Sequence, residues 1–390
     1  MTKRSRRRAS GKKQSSGYLG TGVVVIVLIL LGGFFLLTGE DPLGIFEPPA
    51  TPTPPAETIE GDWWQVHFTN PQPDGTAVDL RGSVAERLIG HINQAQSSIH
   101  IVSFEFNLPP VADALIAARQ RGLDVRFVTD DESGIEADED DGLELFPKME
   151  EAGIGLRDDD RGALMHNKFW IFDQQTVWTG STNITENGIF RNNNNVIVIN
   201  SPRVAAMYER EFDEMWNGQF GPTSPSTRDS QQTTINGVPV QVLFGSEDKA
   251  MPDLVDLVDG AQQSVRFMAF SFTRDDLGDA MLSRAEAGLN VQGIFEARGS
   301  ETEFSELPRL FCAGLAVRQD GNPRAMHHKV IIIDGQKVVT GSFNFSNNAE
   351  ESNDENLVII ADPNLAAQYL QEFERRWAEA VAPTRGEMGC

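Results

Sequence analysis

Cysteine is scarce in this chain of 390 residues, which contains only Cys312 and Cys390. Two cysteines are too few for a disulfide framework. The hydrophobic fraction of 40% is instead that of a globular protein with an apolar core. Cys312 stands among apolar residues in the sequence, so we expect it to be a buried core residue, and we expect the terminal Cys390 to be incidental.

Basic residues are also in deficit. Lysine and arginine number 33 against 57 aspartates and glutamates, which gives a formal net charge of −24. Seven of the positive charges lie in the first 13 residues, and the remainder of the chain therefore carries −31. Proteins that bind nucleic acids hold the phosphate backbone with lysine and arginine. The composition argues against such a protein, although a local basic groove within an acidic surface would still allow nucleic acid as a partner.

The N-terminal segment has the pattern of a membrane anchor. A basic tail over residues 1–17 precedes an apolar run over 18–38, and about 20 apolar residues are needed to span a bilayer. A cleaved signal peptide has the same charge polarity, but its apolar core is shorter and ends at small residues, whereas residues 38–42 read Thr-Gly-Glu-Asp-Pro. We predict an uncleaved transmembrane signal anchor.

The charge of the tail predicts the orientation of this anchor. Positive residues before a span stay in the cytoplasm, so we expect a single-pass protein of the cell membrane with a cytoplasmic tail and an extracytoplasmic body. Residues 39–60 are rich in proline. Such a composition predicts a stiff, extended linker that holds the body away from the bilayer.

One pattern occurs twice in the chain at a constant offset of 161 residues. It consists of a histidine, a lysine two residues later, an aspartate, and then a Gly-Ser-x-Asn tetrapeptide. The first copy contains His166, Lys168, Asp173, Gly180, Ser181 and Asn183. The second copy contains His327, Lys329, Asp334, Gly341, Ser342 and Asn344. Six positions matched in type and spacing are hard to assign to chance.

The similarity between the two halves extends beyond this pattern, as an internal repeat requires. The segment 98–106 aligns with 264–272 at an offset of 166, and Ala152-Gly153 aligns with Ala313-Gly314 at 161. The difference of five residues falls within 131–150, which we therefore interpret as a loop. Its acidic residues at 130–141 lack the glycine-centred spacing of an EF-hand. We favour a solvated loop over a calcium site there.

The secondary-structure pattern predicts the fold class. In the first copy we expect strands at 99–106, 124–130, 154–158, 168–173, 176–180 and 195–200, and helices at 110–121, 142–152 and 202–216. The second copy repeats this order. The chain is therefore predicted to be α/β, with two tandem repeats that each contain a mixed β-sheet flanked by helices. We place the first repeat at 61–216, a linker at 217–237 and the second repeat at 238–382. Trp63 and Trp64 are expected to pack on the first repeat.

The repeated residues suit phosphodiester chemistry. Residues two apart in a strand point to the same face, so His166 and Lys168 should project together. Imidazole can act as a nucleophile or as a general acid near neutral pH, and the serine and asparagine of the Gly-Ser-x-Asn segment can donate hydrogen bonds to phosphate oxygens. No cysteine, histidine and aspartate cluster with metal spacing is present, so we predict no metal or cofactor and assign charge stabilisation to the lysines. We expect the two motif aspartates, Asp173 and Asp334, to be structural.

The pattern resembles the phospholipase D superfamily, whose HxKxxxxD signature followed by GSxN appears here twice. The resemblance covers about residues 80–380 and implies two copies packed about a pseudo-twofold axis, one active site at their interface, and metal-independent cleavage through a phosphohistidine. It also implies that His166 is the nucleophile and His327 the general acid. Because both half-sites are in one chain, we expect a monomer.

One position departs from the symmetry of the repeat. Superfamily members commonly carry a carboxylate after the GSxN segment that orients a catalytic histidine. The second copy supplies Glu355, but the equivalent residue in the first copy is Asn194. An amide stabilises imidazolium less than a carboxylate does, so we expect the two histidines to be inequivalent. We hypothesise that Glu105 in the first strand replaces the missing carboxylate, with a solvated strand residue as the alternative.

Several functions share such a site. Hydrolysis of a phospholipid is favoured because the body is predicted to lie beside a membrane and is strongly acidic. A nuclease of the same superfamily and a cardiolipin synthase-like phosphatidyl transferase are the alternatives. A binding module without activity is disfavoured by two intact motifs.

Overall fold

Short apolar segments that end at turns form the strands of the protein. The computed structural model describes residues 59–72 and 78–390. The strands in the described part are β1 (Ile59–Glu60), β2 (Trp64–Phe68), β3 (Ser98–Ser103), β4 (Asp124–Val128), β5 (Gly155–Arg157), β6 (Lys168–Phe172), β7 (Thr176–Gly180), β8 (Asn195–Asn200), β9 (Gln232–Ile235), β10 (Val238–Phe244), β11 (Ser264–Ala269), β12 (Asn290–Phe295), β13 (Ala316–Gln319), β14 (Lys329–Ile333), β15 (Lys337–Gly341) and β16 (Asn356–Ile360).

Helices connect and cover these strands. Those in the described part are α1 (Val84–Gln94), α2 (Pro109–Gln120), α3 (Ala137–Asp141), α4 (Leu145–Glu151), α5 (Glu186–Phe190), α6 (Pro202–Trp216), α7 (Gly245–Asp248), α8 (Met251–Asp259), α9 (Asp275–Glu286), α10 (Glu306–Cys312), α11 (Asn347–Glu351) and α12 (Pro363–Glu379). The long helices α6 and α12 start alike, because a side-chain cap precedes a proline at the first helical position in both: Ser201 accepts from the amide of Val204, and Asp362 accepts from that of Asn364. Proline has no N–H to lose there.

Each repeat forms one mixed sheet of eight strands, in the orders β1-β2-β8-β7-β6-β3-β4-β5 and β13-β12-β11-β14-β15-β16-β10-β9. In the first sheet β3, β4 and β5 are parallel, and β6, β7 and β8 run antiparallel to their neighbours. The second sheet has the same arrangement in β11–β16. The predicted α/β class with two mixed sheets is confirmed.

The two sheets share one core that contains α6 and α12. Buried residues of both sheets and both helices form a single apolar cluster. Tyr208 on α6 packs edge-on against Phe244 of the second sheet, and Tyr369 on α12 packs edge-on against Phe68 of the first. Each long helix therefore contacts the sheet of the other repeat. The outer face of each sheet has its own separate core.

The tryptophans before the first repeat are buried. Trp63 and Trp64 belong to the shared core, which agrees with the expectation that they pack on the protein. Trp64 also donates from Nε1 to Asp362 of the second repeat at 2.9 Å. This strand therefore contributes to the contact between the repeats.

The segment 131–150 is helical rather than a loop, which corrects the sequence-based interpretation. A π-helical turn (Asp131–Glu136) leads into α3, and α4 follows. Asp138 is buried and accepts hydrogen bonds from the amides of Leu145 and Phe146, 3.0 Å away in each case. The acidic residues are therefore only partly solvated, because some of them cap helix ends.

The boundaries of the predicted linkers also differ from the structure. The interval 217–237 ends in β9, which pairs with β10 of the second sheet, and residues 59 and 60 of the proline-rich linker form β1. The remainder of that linker, the basic tail and the predicted anchor over 18–38 lie outside the described residues. Within the described part, no helix is both long enough and apolar enough to cross a membrane.

Cys312 and Cys390 form a disulfide, and Cys312 is only partly buried. These findings correct the expectations that Cys312 is a buried core residue and that Cys390 is incidental. The bond joins the end of α10 to the C-terminus across 78 residues. Met388, beside it, is buried in the outer core of the second repeat. The C-terminal segment beyond 382 is thus packed onto this repeat, which extends its boundary.

Candidate active site

Both copies of the repeated pattern meet at the contact between the two repeats. His166 and His327 each stand two residues before a lysine that starts a strand, β6 or β14. The amide of Asp354 donates to the carbonyl of Leu164 at 2.9 Å, and the amide of His327 donates to the carbonyl of Asn193 at 2.8 Å. These backbone bonds hold the segment before each histidine against the segment before β8 or β16 of the other copy.

His166 is held by a carboxylate of the second repeat. Its Nδ1 lies 2.8 Å from both oxygens of Glu355. Glu355 is fully buried and also accepts a hydrogen bond from the hydroxyl of Ser342 at 2.6 Å. Because Nδ1 donates to the carboxylate, the lone pair of the neutral imidazole lies on Nε2.

His327 is held by an amide of the first repeat. Its Nδ1 lies 2.9 Å from Oδ1 of Asn194 and 3.0 Å from the carbonyl oxygen of Ser181. Both partners are acceptors, so Nδ1 carries the proton here as well. The side-chain amide of Asn194 is fixed by donation to the carbonyl of Gly188 at 2.9 Å. The two histidines are therefore inequivalent, as the sequence predicts, and each takes its acceptor from the opposite copy.

Two buried lysines accompany the histidines. Nζ of Lys168 donates to the carbonyl of His166 at 2.7 Å, and Nζ of Lys329 donates to that of His327 at 3.0 Å. Each ammonium also lies over a phenylalanine ring, that of Phe104 or Phe270. Further N–H groups of each ammonium remain to bind an anion.

Burial shifts the pKa values of these groups. It lowers the pKa of Lys168 to about 8 and that of Lys329 well below its usual range, in the latter case together with the charge of Lys168. Burial and the two lysines hold the pKa values of His166 and His327 well below the ordinary value for histidine. Burial raises the pKa of Glu355 to about 7. A bound anion would favour the charged form of every base in this group.

The hydroxyls of the serines in the two Gly-Ser-x-Asn segments donate to neighbouring side chains of the site. Ser342 donates to Glu355, and Ser181 donates to Oδ1 of Asn194 at 2.8 Å. Both hydroxyls are fully buried. The expectation that they bind phosphate is therefore wrong, because they support the residues that hold the histidines.

The glycine before each serine allows this close packing. Gly180 has a φ of 149°, and a Cβ there would lie 2.3 Å from the carbonyl oxygen of Asn195. Gly341 has the same conformation against Asn356.

The asparagines of these segments border the site. Oδ1 of Asn183 and Oδ1 of Asn344 are buried and have no hydrogen-bond partner among the described residues. Nδ2 of Asn183 donates to Oε2 of Glu105 at 2.5 Å. Glu105 thus contacts Asn183, and the acceptor beside His327 is Asn194 itself. The hypothesis that Glu105 replaces the missing carboxylate is wrong in this respect, although its charge acts on both lysines.

The motif aspartates lie at the far ends of the strands. Asp173 accepts from the amides of residues 96, 97 and 98, and Asp334 accepts from those of 262, 263 and 264. These bonds lower the pKa of both carboxyls against the effect of burial. Asp173 fixes the turn before β3 and Asp334 fixes the turn before β11, which agrees with a structural role.

Sequence analysis missed a network of buried asparagines beneath the site. Asn195 accepts from Thr340 and Tyr369 at 2.7 and 3.0 Å, and Asn356 accepts from Thr179 and Tyr208 at 2.8 and 3.3 Å. All four donors belong to the opposite repeat. The sequence signal was an asparagine at the start of the same strand in each copy, at the offset of 161.

A second missed pair positions the backbone before each histidine. Asp130 accepts from the amide of Met165 at 3.0 Å, and Glu296 accepts from that of Met326 at 2.7 Å. The two acids are equivalent residues at the ends of β4 and β12. They fix the chain one residue before His166 and His327.

A cavity of about 690 Å³ opens onto His327. Its wall carries four carboxylates and two guanidinium groups: Glu105, Glu132, Asp138, Asp141, Arg298 and Arg324. Asn183 and Phe270 also line this cavity. A ligand in this cavity therefore meets a mainly acidic wall.

Comparison with known proteins agrees with this geometry. The family model described as "Cardiolipin synthase, PLD-like domain" matches the chain twice, over residues 88–216 and 254–377. Among solved structures, the phosphatidylserine synthase of Haemophilus influenzae has a TM-score of 0.63 and 16% identity, over 84% of this chain and 89% of that chain. At this identity, the likeness supports the fold alone.

Two curated relatives match part of the chain. A mitochondrial cardiolipin hydrolase of Chlamydomonas reinhardtii is 35% identical over 123 residues, which are 32% of this chain and 55% of that protein. A phospholipase D of Rickettsia conorii is 35% identical over 125 residues, which are 32% of this chain and 62% of that protein. The chain thus spans less than two thirds of the length of these relatives.

Proposed function

Because the chain belongs to the family of cardiolipin synthase and phospholipase D-like domains, we propose that it is a phosphodiesterase that cleaves a phospholipid through a covalent phosphohistidine. One observation carries the proposal: two buried histidines, each fixed at Nδ1 by the other repeat, share a site with two buried lysines. The lysines hold the phosphate oxygens and stabilise the charge that develops on them. This role needs no cofactor.

The contact with Glu355 supports His166 as the nucleophile. A carboxylate at Nδ1 makes Nε2 more basic and stabilises the positive charge that forms when Nε2 bonds to phosphorus. As the N–P bond forms, the bond between phosphorus and the headgroup oxygen breaks. The leaving oxygen takes a proton from Nε2 of His327, whose amide partner stabilises imidazolium less and so lets the proton go more readily.

The second step restores both histidines. Nε2 of His327, now neutral, takes a proton from a water molecule, and the water oxygen attacks phosphorus. The N–P bond breaks and Nε2 of His166 regains its lone pair. The products are the headgroup alcohol and a phosphatidic acid, and an alcohol in place of water would give transfer instead of hydrolysis.

The acidic wall of the cavity supports a phospholipid with a cationic headgroup as the substrate. Four carboxylates against two guanidinium groups would repel a second phosphate of a nucleic acid strand. A choline or ethanolamine group would be attracted, while its phosphate reaches the lysines. Glu132 and Asp141 are exposed at this wall, so their charges are available to a headgroup.

We also propose that the body acts outside the cytoplasm, attached to the membrane by the apolar run 18–38. The seven basic residues before that run favour this orientation. The disulfide between Cys312 and Cys390 supports it, since such bonds persist in oxidising compartments. Alkaline phosphatase fused after residue 390 should be active in a bacterial host, and an active cytoplasmic reporter at that position would refute the orientation.

The activity is tested on the full-length protein in detergent with EDTA present. Phosphatidylcholine, phosphatidylglycerol and single-stranded DNA are offered separately, and the products are identified. Release of choline is expected, and Glu132→Gln should raise KM for phosphatidylcholine, whereas Glu139→Gln, at an exposed residue of the same segment, should not. Cleavage of DNA alone would identify a nuclease. Full loss of activity in EDTA, in protein that circular dichroism shows to be folded, would contradict the mechanism.

The roles of the histidines are tested with a nitrophenyl phosphodiester, whose leaving group needs no general acid. The His327→Asn variant should release one equivalent of nitrophenolate per active site and then stop, because the phosphohistidine forms but is not hydrolysed. The His166→Asn variant should release none. The reverse pattern would exchange the two roles, and wild-type turnover by either variant would refute the shared site.

A further inference from the structure

Three glutamates meet on the side of α6 that faces the second repeat. Glu211 and Glu214 lie on α6, and Glu247 lies on α7 after β10. One carboxylate oxygen from each lies within 4.8 Å of those of the other two. Glu211 is 4% exposed. The cluster therefore brings three acidic groups of both repeats into a buried space.

These carboxylates have few partners that would offset their charge: Ser224 hydrogen-bonds Glu214 and Glu247, and the charge of Arg210 acts on Glu214. No described residue donates a hydrogen bond to Glu211, and among the described residues Oε2 of Glu214 and Oε1 of Glu247 are buried without a partner. The charged groups that act on Glu211 are all acids: Glu247, Asp354, Glu214 and Asp248. A buried carboxylate without a partner is unfavourable, so this space attracts a positive charge.

The second repeat shows how the same glutamate is neutralised. Glu372 on α12 is equivalent to Glu211 at the offset of 161. Its oxygens lie 2.7 Å from Arg375, 3.1 Å from Arg376 and 3.3 Å from His328.

The first repeat has no basic residue at any of these three places. The equivalents of the two arginines are Glu214 and Met215, and the equivalent of His328 is Asn167. The cations that stabilise Glu372 are thus absent around Glu211, where a further acid stands instead.

We propose that Glu211, Glu214 and Glu247 bind a hard divalent cation, of which calcium is the best match, at the contact between the two repeats. Calcium takes six to eight oxygen ligands in flexible geometry, and three carboxylates with water molecules supply them. The cation would take the place that the arginines occupy in the second repeat. Its role is structural and is independent of the proposed reaction.

A second acidic cluster, formed by Asp130, Asp131 and Asp159, does not share these properties. Asp130 accepts from the amides of Ser133 and Met165, and Asp159 accepts from that of Asp131 and pairs with Arg161. Its buried carboxylates are therefore occupied by donors of the protein. In the glutamate cluster, by contrast, the buried Glu211 has no such donor among the described residues.

The test measures binding directly. The full-length protein is purified in detergent, stripped with EDTA, and titrated with calcium chloride by calorimetry and by thermal unfolding. We expect one site per chain and a rise in Tm of about 4 °C at a calcium concentration about 100 times the Kd. Magnesium chloride in a parallel titration should bind more weakly, because it requires a more rigid octahedral site.

Variants locate the site. Glu211→Gln and Glu247→Gln should abolish calcium binding, whereas Asp213→Asn, at an exposed residue of the same helix, should leave it unchanged. Glu214→Arg copies the second repeat and should abolish calcium binding while raising the Tm of the metal-free protein.

The proposal is refuted if neither calcium, magnesium nor manganese binds, which would mean that protons alone neutralise the cluster. It is also refuted if Asp213→Asn and Glu211→Gln reduce binding equally. Neither outcome bears on the proposed phosphodiesterase activity.

Discussion

Both carboxylate oxygens of Glu355, in the second repeat, lie 2.8 Å from Nδ1 of His166 in the first. Asn194 occupies the corresponding place beside His327. A carboxylate stabilises imidazolium more strongly than an amide does. The difference in partner therefore separates a more basic histidine from a more acidic one within a single site.

Replacing Glu355 by glutamine should lower kcat about 100- to 1,000-fold and leave KM within about a factor of two. The amide can still accept from Nδ1, so the ring stays in place while the stabilising charge is lost. Steady-state kinetics of headgroup release measure the effect. The matched control is Glu351→Gln, at an exposed residue nearby, which should be fully active; a folded Glu355→Gln variant with wild-type kcat would exclude the role of the carboxylate.

Replacing Asn194 by aspartate should move the alkaline limb of the kcat profile to higher pH. A carboxylate beside Nδ1 would raise the pKa of His327 and keep its Nε2 protonated at pH values where the wild-type residue is neutral. The profile is measured against pH with phosphatidylcholine, after circular dichroism has shown that the variant is folded. An unchanged alkaline limb would show that His327 is not the general acid.

The lowered pKa of Lys168 predicts that KM depends on pH. The lysine is charged below its pKa of about 8 and neutral above it, so phosphate binding should weaken and KM should rise as the pH increases through 8. The Lys168→Arg variant keeps its charge at high pH. Its KM should therefore change less over the same range, whereas an equally steep rise in the variant would assign the effect to another group.

The strands and helices were predictable because their apolar periodicity is local. The strand Asn195–Asn200 and the helix Pro202–Trp216 have the predicted bounds. The sequence did not predict that each histidine takes its Nδ1 acceptor from the other repeat. Alignment of the two copies identifies equivalent residues, but it does not show which histidine a given acceptor contacts. Glu355 could be identified as an orienting residue, but its partner His166 depends on how the two sheets pack.

Two further sequence-based expectations were wrong because they depend on contacts between residues far apart in the sequence. The hydroxyls of Ser181 and Ser342 were expected at the phosphate, but the close approach of the preceding glycines to the next strand turns them toward Asn194 and Glu355. Cys312 and Cys390 meet only because the C-terminus returns to α10. Neither contact has a local sequence pattern.

Removing the disulfide should destabilise the protein. Cys390→Ser opens a loop of 78 residues and should reduce the free energy of unfolding by about 2–5 kcal/mol. Thermal or urea unfolding measures the loss. Cys312→Ser should destabilise the protein as much as Cys390→Ser does, and so should a reducing agent added to the wild type. The reducing agent should have no further effect on either variant. If it leaves the stability of the wild type unchanged, the bond does not form.

The backbone bonds that join the segment before each histidine to the opposite repeat have an evolutionary consequence. A duplicated domain usually leaves one copy free to accumulate mutations, since the other still performs the task. Here neither half is redundant, because a loss in one copy removes an acceptor from the histidine of the other. A substitution in either copy therefore affects the histidine of the other, and Asn194 gives His327 a different environment from that of His166 without leaving its copy dispensable.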